Sequence, residues 1–194
     1  MSPGTLDLQS AFLAVIDALV EVGIDHAFIG ALPVLAWGRV RATTDIDLVV
    51  LAGDRWDRLT DALRRRGFRP GRTVGPSDPA DALPDIAVFH GNGDPPVRFD
   101  IFIAKTEFER VVIETARAAP VLATQVHLAR PEASIIYKLL ARRRRDLDDV
   151  DGICEARRAA GDPLDWAFLE HWAAEWGILD RLTPYRSRFA PGAP

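Results

Sequence analysis

The segment "RATTDIDLVV", Arg41 to Val50, decides the reading of the chain. Its second half is a strand of isoleucine, leucine and two valines, residue types that suit a pleated, half-buried surface. Its start carries two carboxylates, Asp45 and Asp47. Residues two apart on a strand project from the same face. Like charges held that close repel each other unless they are well solvated or bridged by a cation. Mg2+ suits the role, being a hard ion usually bound by one or two carboxylates together with substrate phosphates.

A third carboxylate, Asp100, sits in a second apolar run, "VRFDIFIA". If the two strands pair, three carboxylates converge, enough to hold two cations roughly 4 Å apart for in-line phosphoryl or nucleotidyl displacement. The competing reading has Asp45 capping its strand, with Asp47 and Asp100 paired to Arg41 and Arg98. Upstream, Gly30 ends the short strand "HAFIG" and opens a short helix, "ALPVLAWG". Backbone N–H groups at a helix start form an anion site, and glycine admits a phosphate close to the backbone. Arg41, Thr43 and Thr44 add a cationic fork and hydroxyls on the intervening loop.

Asp7 to Val22 reads as an amphipathic helix with Thr5 as its cap, and Asp54 to Gly67 as another. Arg69 to Pro84, rich in proline, glycine and aspartate, reads as loop. "DIAVFH" and "VRFDIFIA" flank a turn cluster and make a hairpin. Glu107 to Pro120 reads as a helix, followed by a strand at Thr124 to Ala129. From Pro131 long helical patterns take over. In them Leu169, Trp172, Trp176 and Leu179 form an apolar stripe expected in the core, and the tail after Pro184 is expected to be loosely ordered. The expected architecture is α/β (α+β): a mixed-sheet lobe over residues 1–130, then a helical C-terminal lobe over 131–194.

Composition narrows the function classes. At 48% hydrophobic and 27% charged, the 194 residues fit an ordinary globular protein that needs no staples. The net charge of −4 argues against nonspecific nucleic-acid coating but leaves local basic runs at Arg64–Arg66 and Arg142–Arg145, which also read as solvated helix faces. One cysteine, Cys154, allows no internal disulfide, is compatible with a reducing cytoplasm, and reads as a small core residue. The N-terminus lacks signal-peptide features and no apolar run is long enough to span a membrane, so a cytoplasmic location is expected. The four histidines, His26, His90, His127 and His171, show no metal-ligand spacing. That weighs against a metal-dependent phosphohydrolase, which usually adds histidine ligands.

With these residues in place, "IGALPVLAWGRVRATTDIDLVV" resembles the signature of the DNA polymerase β-like nucleotidyltransferase superfamily. That signature has a strand, Gly-Gly or Gly-Ser, a short helix, a strand with Asp-x-Asp, and a third Asp on a later strand. The matching positions are Gly30-Ala31, Asp45, Asp47 and Asp100. The form Arg41, Thr43, Asp45, Ile46, Asp47 is most similar to the bacterial stand-alone branch that includes the AbiEii-type toxins. So is "PEASIIYKLLARRRRDLDDV", through Lys138, Ala141, Arg143, Arg145, Asp146 and Asp149.

The resemblance covers roughly residues 10 to 155. It implies an Mg2+-dependent (or Mn2+-dependent) transfer of a nucleoside monophosphate from an NTP to a hydroxyl. Asp45, Asp47 and Asp100 would hold the metal, and Asp100 would serve the acceptor side. Gly30, Ala31, Arg41, Thr43, Thr44, Lys138 and Asp146 would bind the nucleotide. The acceptor stays open between tRNA, a protein hydroxyl and a small antibiotic, as does a cognate toxin or antitoxin partner. Ala31 stands where the signature has Gly or Ser. It supports a second reading, a non-catalytic nucleotide-binding or regulatory module on the same fold.

Overall fold

The computed structural model describes residues 7–40, 42–74, 85–93 and 95–190, without the side chains of 72–74. They divide into two compact units, Met1–Ile29 with Thr43–Leu128, and Gly30–Ala42 with Ala129–Pro194.

In the first unit, α1 (Leu8–Val22) is capped by Asp7, whose carboxylate accepts the Ser10 N–H at 2.7 Å. The cap is thus Asp7, while Thr5 lies outside the described residues. The sheet strands are β1 (His26–Ile29), β2 (Asp45–Val50), β3 (Arg69–Val74), β4 (Asp85–His90), β5 (Arg98–Ile103), β6 (Arg117–Val121) and β7 (Thr124–Leu128), ordered β3-β4-β5-β2-β1-β7-β6. The sheet is mixed: β2 runs parallel to β5 and β1 parallel to β7, and the other pairs are antiparallel. On one face Ile46, Leu48, Phe99, Ile101 and Phe28 are fully buried. Phe12 of α1 packs on Phe28 at 5.2 Å between ring centroids, and Phe68 meets Phe99 edge-on at 5.2 Å. Phe68 closes the segment after α3 (Trp56–Arg65), which a 3-10 turn at Gly53–Arg55 precedes.

Two expectations fail at the sheet's edges. Residues 69–74 form β3 instead of loop, and the rest of the expected loop, 75–84, lies outside the described residues. Pro70 and Gly71 argue against a strand. At an edge, however, a missing N–H costs nothing on the solvent side. The helix expected to reach Pro120 stops as α4 (Glu107–Glu114), where the Thr115 hydroxyl and N–H both turn back onto the Val111 carbonyl, at 2.6 and 2.9 Å. Arg117–Val121 then pairs with β7 through a two-residue turn, Leu122-Ala123, whose φ values of 49° and 61° match the twist of a tight hairpin.

The second unit is helical: α2 (Ala31–Trp37), α5 (Pro131–Ala141), α6 (Arg144–Ala159), α7 (Trp166–Glu175) and α8 (Leu179–Phe189). The α2 helix belongs here, and not with the residues before 130 that flank it in sequence. Its Trp37 indole N–H donates to the Ala129 carbonyl at 2.7 Å, and the Arg157 side chain donates to the Trp37 carbonyl at 3.2 Å. The expected continuous pattern after Pro131 breaks at Arg142, which takes a left-handed conformation (φ 53°) between α5 and α6. The apolar stripe divides as well: Leu169 and Trp172 are buried, whereas Leu179 begins α8 and is exposed. Of the tail expected to be loose, residues 185–189 belong to α8, with Pro184 inside it, and residues 191–194 lie outside the described residues. Buried Leu182 and Tyr185 hold that helix in place, as do ion pairs of Arg188 with Asp151 at 2.8 Å and of Arg186 with Glu170.

Two glycines set the spacing between the chain after α2 and the α6 helix. A Cβ on Gly38 would stand 2.8 Å from the Ile153 backbone nitrogen, and one on Gly152 would stand 2.9 Å from Arg39 Cβ. Backbone on the far side cannot step aside cheaply, so overpacking follows. Gly38→Ala is expected to lower stability by about 1–3 kcal/mol, read as a lower urea midpoint at unchanged slope.

Candidate active site

The register of β2 against β5 places Asp47 level with Asp100 and Asp45 level with Arg98. Residues directly opposite on paired strands share a face. The three carboxylates therefore project from one face, with Arg98 among them, and the opposite face carries the buried apolar set. All three aspartates are half-buried. From β4, Val88 lies level with Asp100 and His90 with Arg98. On the other side Ile29, the last residue of β1, lies level with Asp47, and the chain continues from it into Gly30.

Arg98 engages Asp100 at both carboxylate oxygens, Nε to Oδ1 and Nη2 to Oδ2, each at 2.7 Å. The hydrogen bonds to Asp100, with the added fields of Asp45 and Asp47, hold the Arg98 guanidinium even more firmly protonated than usual, against a smaller opposing effect of burial. Thr43 donates its hydroxyl to the Asp45 carbonyl at 2.9 Å, and Thr44 donates to Asp45 Oδ1 at 3.3 Å. Both threonines of the expected nucleotide set thus steady the start of β2. Arg41 lies outside the described residues.

Among the described residues, no three His, Cys, Asp or Glu side chains stand close enough together to hold a metal ion. At the aspartate triad, both Asp100 oxygens are engaged by Arg98. The donor set itself, three carboxylates on one face of two adjacent strands, has the hard-oxygen chemistry that suits Mg2+ or Mn2+.

The remaining expected residues fall in the helical unit. Gly30 precedes α2 with φ 69°, a conformation that glycine adopts without strain, and Ala31 is the first residue of that seven-residue helix. Lys138 is buried. Its ammonium lies 3.0 Å from Asp146 and 2.9 Å from Asp149, both fully buried. Arg143 adds a second cation to Asp146, Nε to Oδ2 at 2.7 Å. Burial pushes the Asp146 carboxyl up, but the hydrogen bonds from Arg143 and Lys138 more than offset it and leave it below the usual carboxylate range. As placed, Lys138 joins α5 to α6 and presents no free charge to a phosphate.

The basic runs resolve differently. Arg64 pairs with Asp61, and Arg65 and Arg66 with Glu21, so that run is a solvated face with acidic partners. Arg142, Arg144 and Arg145 are exposed, and Asp148 pairs with Arg39 instead. Cys154 is buried and its thiol is pushed up to about 12, chiefly by burial, which leaves it inert at neutral pH. His26, His127, Asp25, Arg110 and Glu114 line a cavity beyond the other end of β1. There the His26 Nδ1–H donates to the Ile24 carbonyl at 2.9 Å, and the two imidazole centroids lie 6.0 Å apart. Burial lowers the His26 pKa first, and His127 adds to the effect.

Sequence reasoning saw Arg98 only as an optional partner for a carboxylate. The signal was present in "RFD", an arginine and an aspartate two apart on one strand. Its importance depends on which strand lies alongside, and that is not written locally.

Eighteen chains of solved structures match this one. The antibiotic-resistance factor ANT(2'')-Ia superimposes with a TM-score of 0.58 at 16% identity, over 91% of this chain and 96% of that one. The fold is that of the nucleotidyltransferases. An antigenic nucleotidyltransferase-like protein from Paracoccidioides brasiliensis gives a TM-score of 0.54 at 17% identity, over 90% of each chain. The lincosamide antibiotic adenylyltransferase LnuA gives 0.51 at 13% identity, over 77% of this chain and 98% of that one. No protein-family model and no curated protein sequence matches the chain. Among the described residues, no helix of this nucleotidyltransferase fold is long and apolar enough to cross a membrane.

Proposed function

We propose that the protein is a divalent-metal-dependent nucleotidyltransferase, moving a nucleoside monophosphate from an NTP to a hydroxyl acceptor. The observation that carries this reading is the alignment of Asp45, Asp47 and Asp100 on one face of β2 and β5 in a nucleotidyltransferase fold. Asp45 and Asp47, with Asp100, are the residues that would hold Mg2+ or Mn2+. Held by these carboxylates, such an ion would supply the positive charge that lowers the pKa of an acceptor hydroxyl and offsets charge on pyrophosphate. Asp100, on the neighbouring strand, also suits the proton of the attacking hydroxyl. As that oxygen bonds to the α-phosphorus, the bond to the β-phosphate oxygen breaks and pyrophosphate leaves. The backbone N–H groups at Gly30 and Ala31, together with Arg41, are assigned to the triphosphate on the family resemblance. Thr43 and Thr44 serve by fixing Asp45. Lys138 and Asp146, which that resemblance also places with the nucleotide, act in this reading through the framework of α5 and α6.

Antibiotic adenylyltransferases share the fold, which favours a small hydroxyl-bearing acceptor. The Arg-x-Thr-x-Asp-Ile-Asp form is similar to the toxin-like branch and keeps open a tRNA end or a protein hydroxyl as acceptor, with a cognate antitoxin or toxin as partner. Incubation of the protein with each α-labelled NTP, Mg2+ or Mn2+ and a cell extract separates these. Label is expected in one fraction, RNA, protein or small molecule, and is expected to vanish with chelator. Ala31 favours the second reading, a module that holds nucleotide without turnover. Bound label with no incorporation under any of these conditions would establish that reading and overturn the first.

A further inference from the structure

We propose that Arg98 is a built-in counter-ion of the carboxylate site, holding Asp100 in place of a divalent cation and competing with that cation for it. The inference rests on the divalent-cation reading above. Arg98 and Asp100 are two residues apart on β5 and therefore share a face, and Arg98 lies level with Asp45 on β2. Three carboxylates with no cation among them would repel one another. The guanidinium supplies positive charge to Asp100 from within the same strand. Its planar fork meets the carboxylate at both oxygens, at 2.7 Å each, the geometry in which arginine binds carboxylates most strongly. Asp100 is largely shielded, with 15% of its side chain exposed, while 47% of the Arg98 side chain is exposed. The arginine therefore has open solvent to move into once Asp100 is claimed. The β4 residues beside the pair, Val88 and His90, offer no carboxylate that would draw Arg98 away.

A cation entering the site must break this bidentate pair and also approach a resident positive charge. Both costs weaken its binding, and both disappear when the arginine is replaced by an uncharged residue. The test is Mn2+ titration without nucleotide, read as free Mn2+ by electron paramagnetic resonance, on the wild type, Arg98→Met and Arg98→Lys. Circular dichroism confirms that each is folded. Arg98→Met is expected to bind Mn2+ about tenfold more tightly than wild type. Arg98→Lys, which keeps the charge but loses the fork, is expected to fall between the two. Wild-type binding that Arg98→Met leaves unchanged or weakens would overturn the counter-ion role while leaving the cation site standing. If neither wild type nor Arg98→Met binds Mn2+, the cation reading itself falls and the inference with it.

Discussion

The double substitution Asp45→Asn/Asp47→Asn is expected to abolish nucleotidyl transfer while leaving the protein folded. The loss should be on the order of 10³-fold or more, because groups that act as a unit in catalysis fail together. Stability should change by less than about 1 kcal/mol, since both side chains lie on the half-buried face and asparagine keeps their shape. The check is label incorporation from an α-labelled NTP beside a urea unfolding curve. Full transfer by a correctly folded double variant would remove the two carboxylates from the chemistry.

Lys138→Met should have the opposite profile, a large loss of stability whatever its effect on turnover. It strips the cation from between Asp146 and Asp149, two fully buried carboxylates in the helical unit's core. Breaking a buried ionic group by removing one partner costs about 3–5 kcal/mol, which at this size is a melting point lower by on the order of 10 °C. Combining Lys138→Met with Asp149→Asn removes one of the two buried carboxylate charges and should recover part of the loss. The acid limb follows from the depressed Asp146 carboxyl. Its stabilising contribution is present above the ordinary value of 3.8 and is lost as the pH falls from there through the lower folded-state value. Asp146→Asn should therefore flatten the fall in stability below that pH. An unaltered melting temperature in Lys138→Met would show that the ammonium does not bind α5 to α6.

The central strands were legible in the sequence because their chemistry is local. The alternation of "DIDLVV" around two aspartates and the apolar run around Asp100 each define a strand and a facing direction. Their parallel pairing is tertiary, and it turned two local patterns into one candidate site. The edge strands were hidden for a physical reason. Pro70 and Gly71 in β3, and Ala118, Ala119 and Pro120 in β6, suit loop or helix, and only pairing at a sheet margin makes them strands. Pro184 misled in the same way, since burial of Leu182 and Tyr185 carries α8 past it. Lys138 was found by likeness. Its burial between two aspartates eight and eleven positions away depends on the chain reversal at Arg142, which no motif announced.

The helical unit takes its first helix from residues 30–42 and the rest from beyond 128, so the molecule is not modular in the way its linear order suggests. A fragment ending at Leu128 would keep α2 but lose α5 and α6, which pack against it, and leave the Trp37 indole without the Ala129 carbonyl. Grafting the C-terminal half onto another protein would leave a groove lacking the segment that fills it. Neither piece is a transplantable part, and dissection or split-reporter designs would have to cut inside a unit's own loops instead of between halves of the chain.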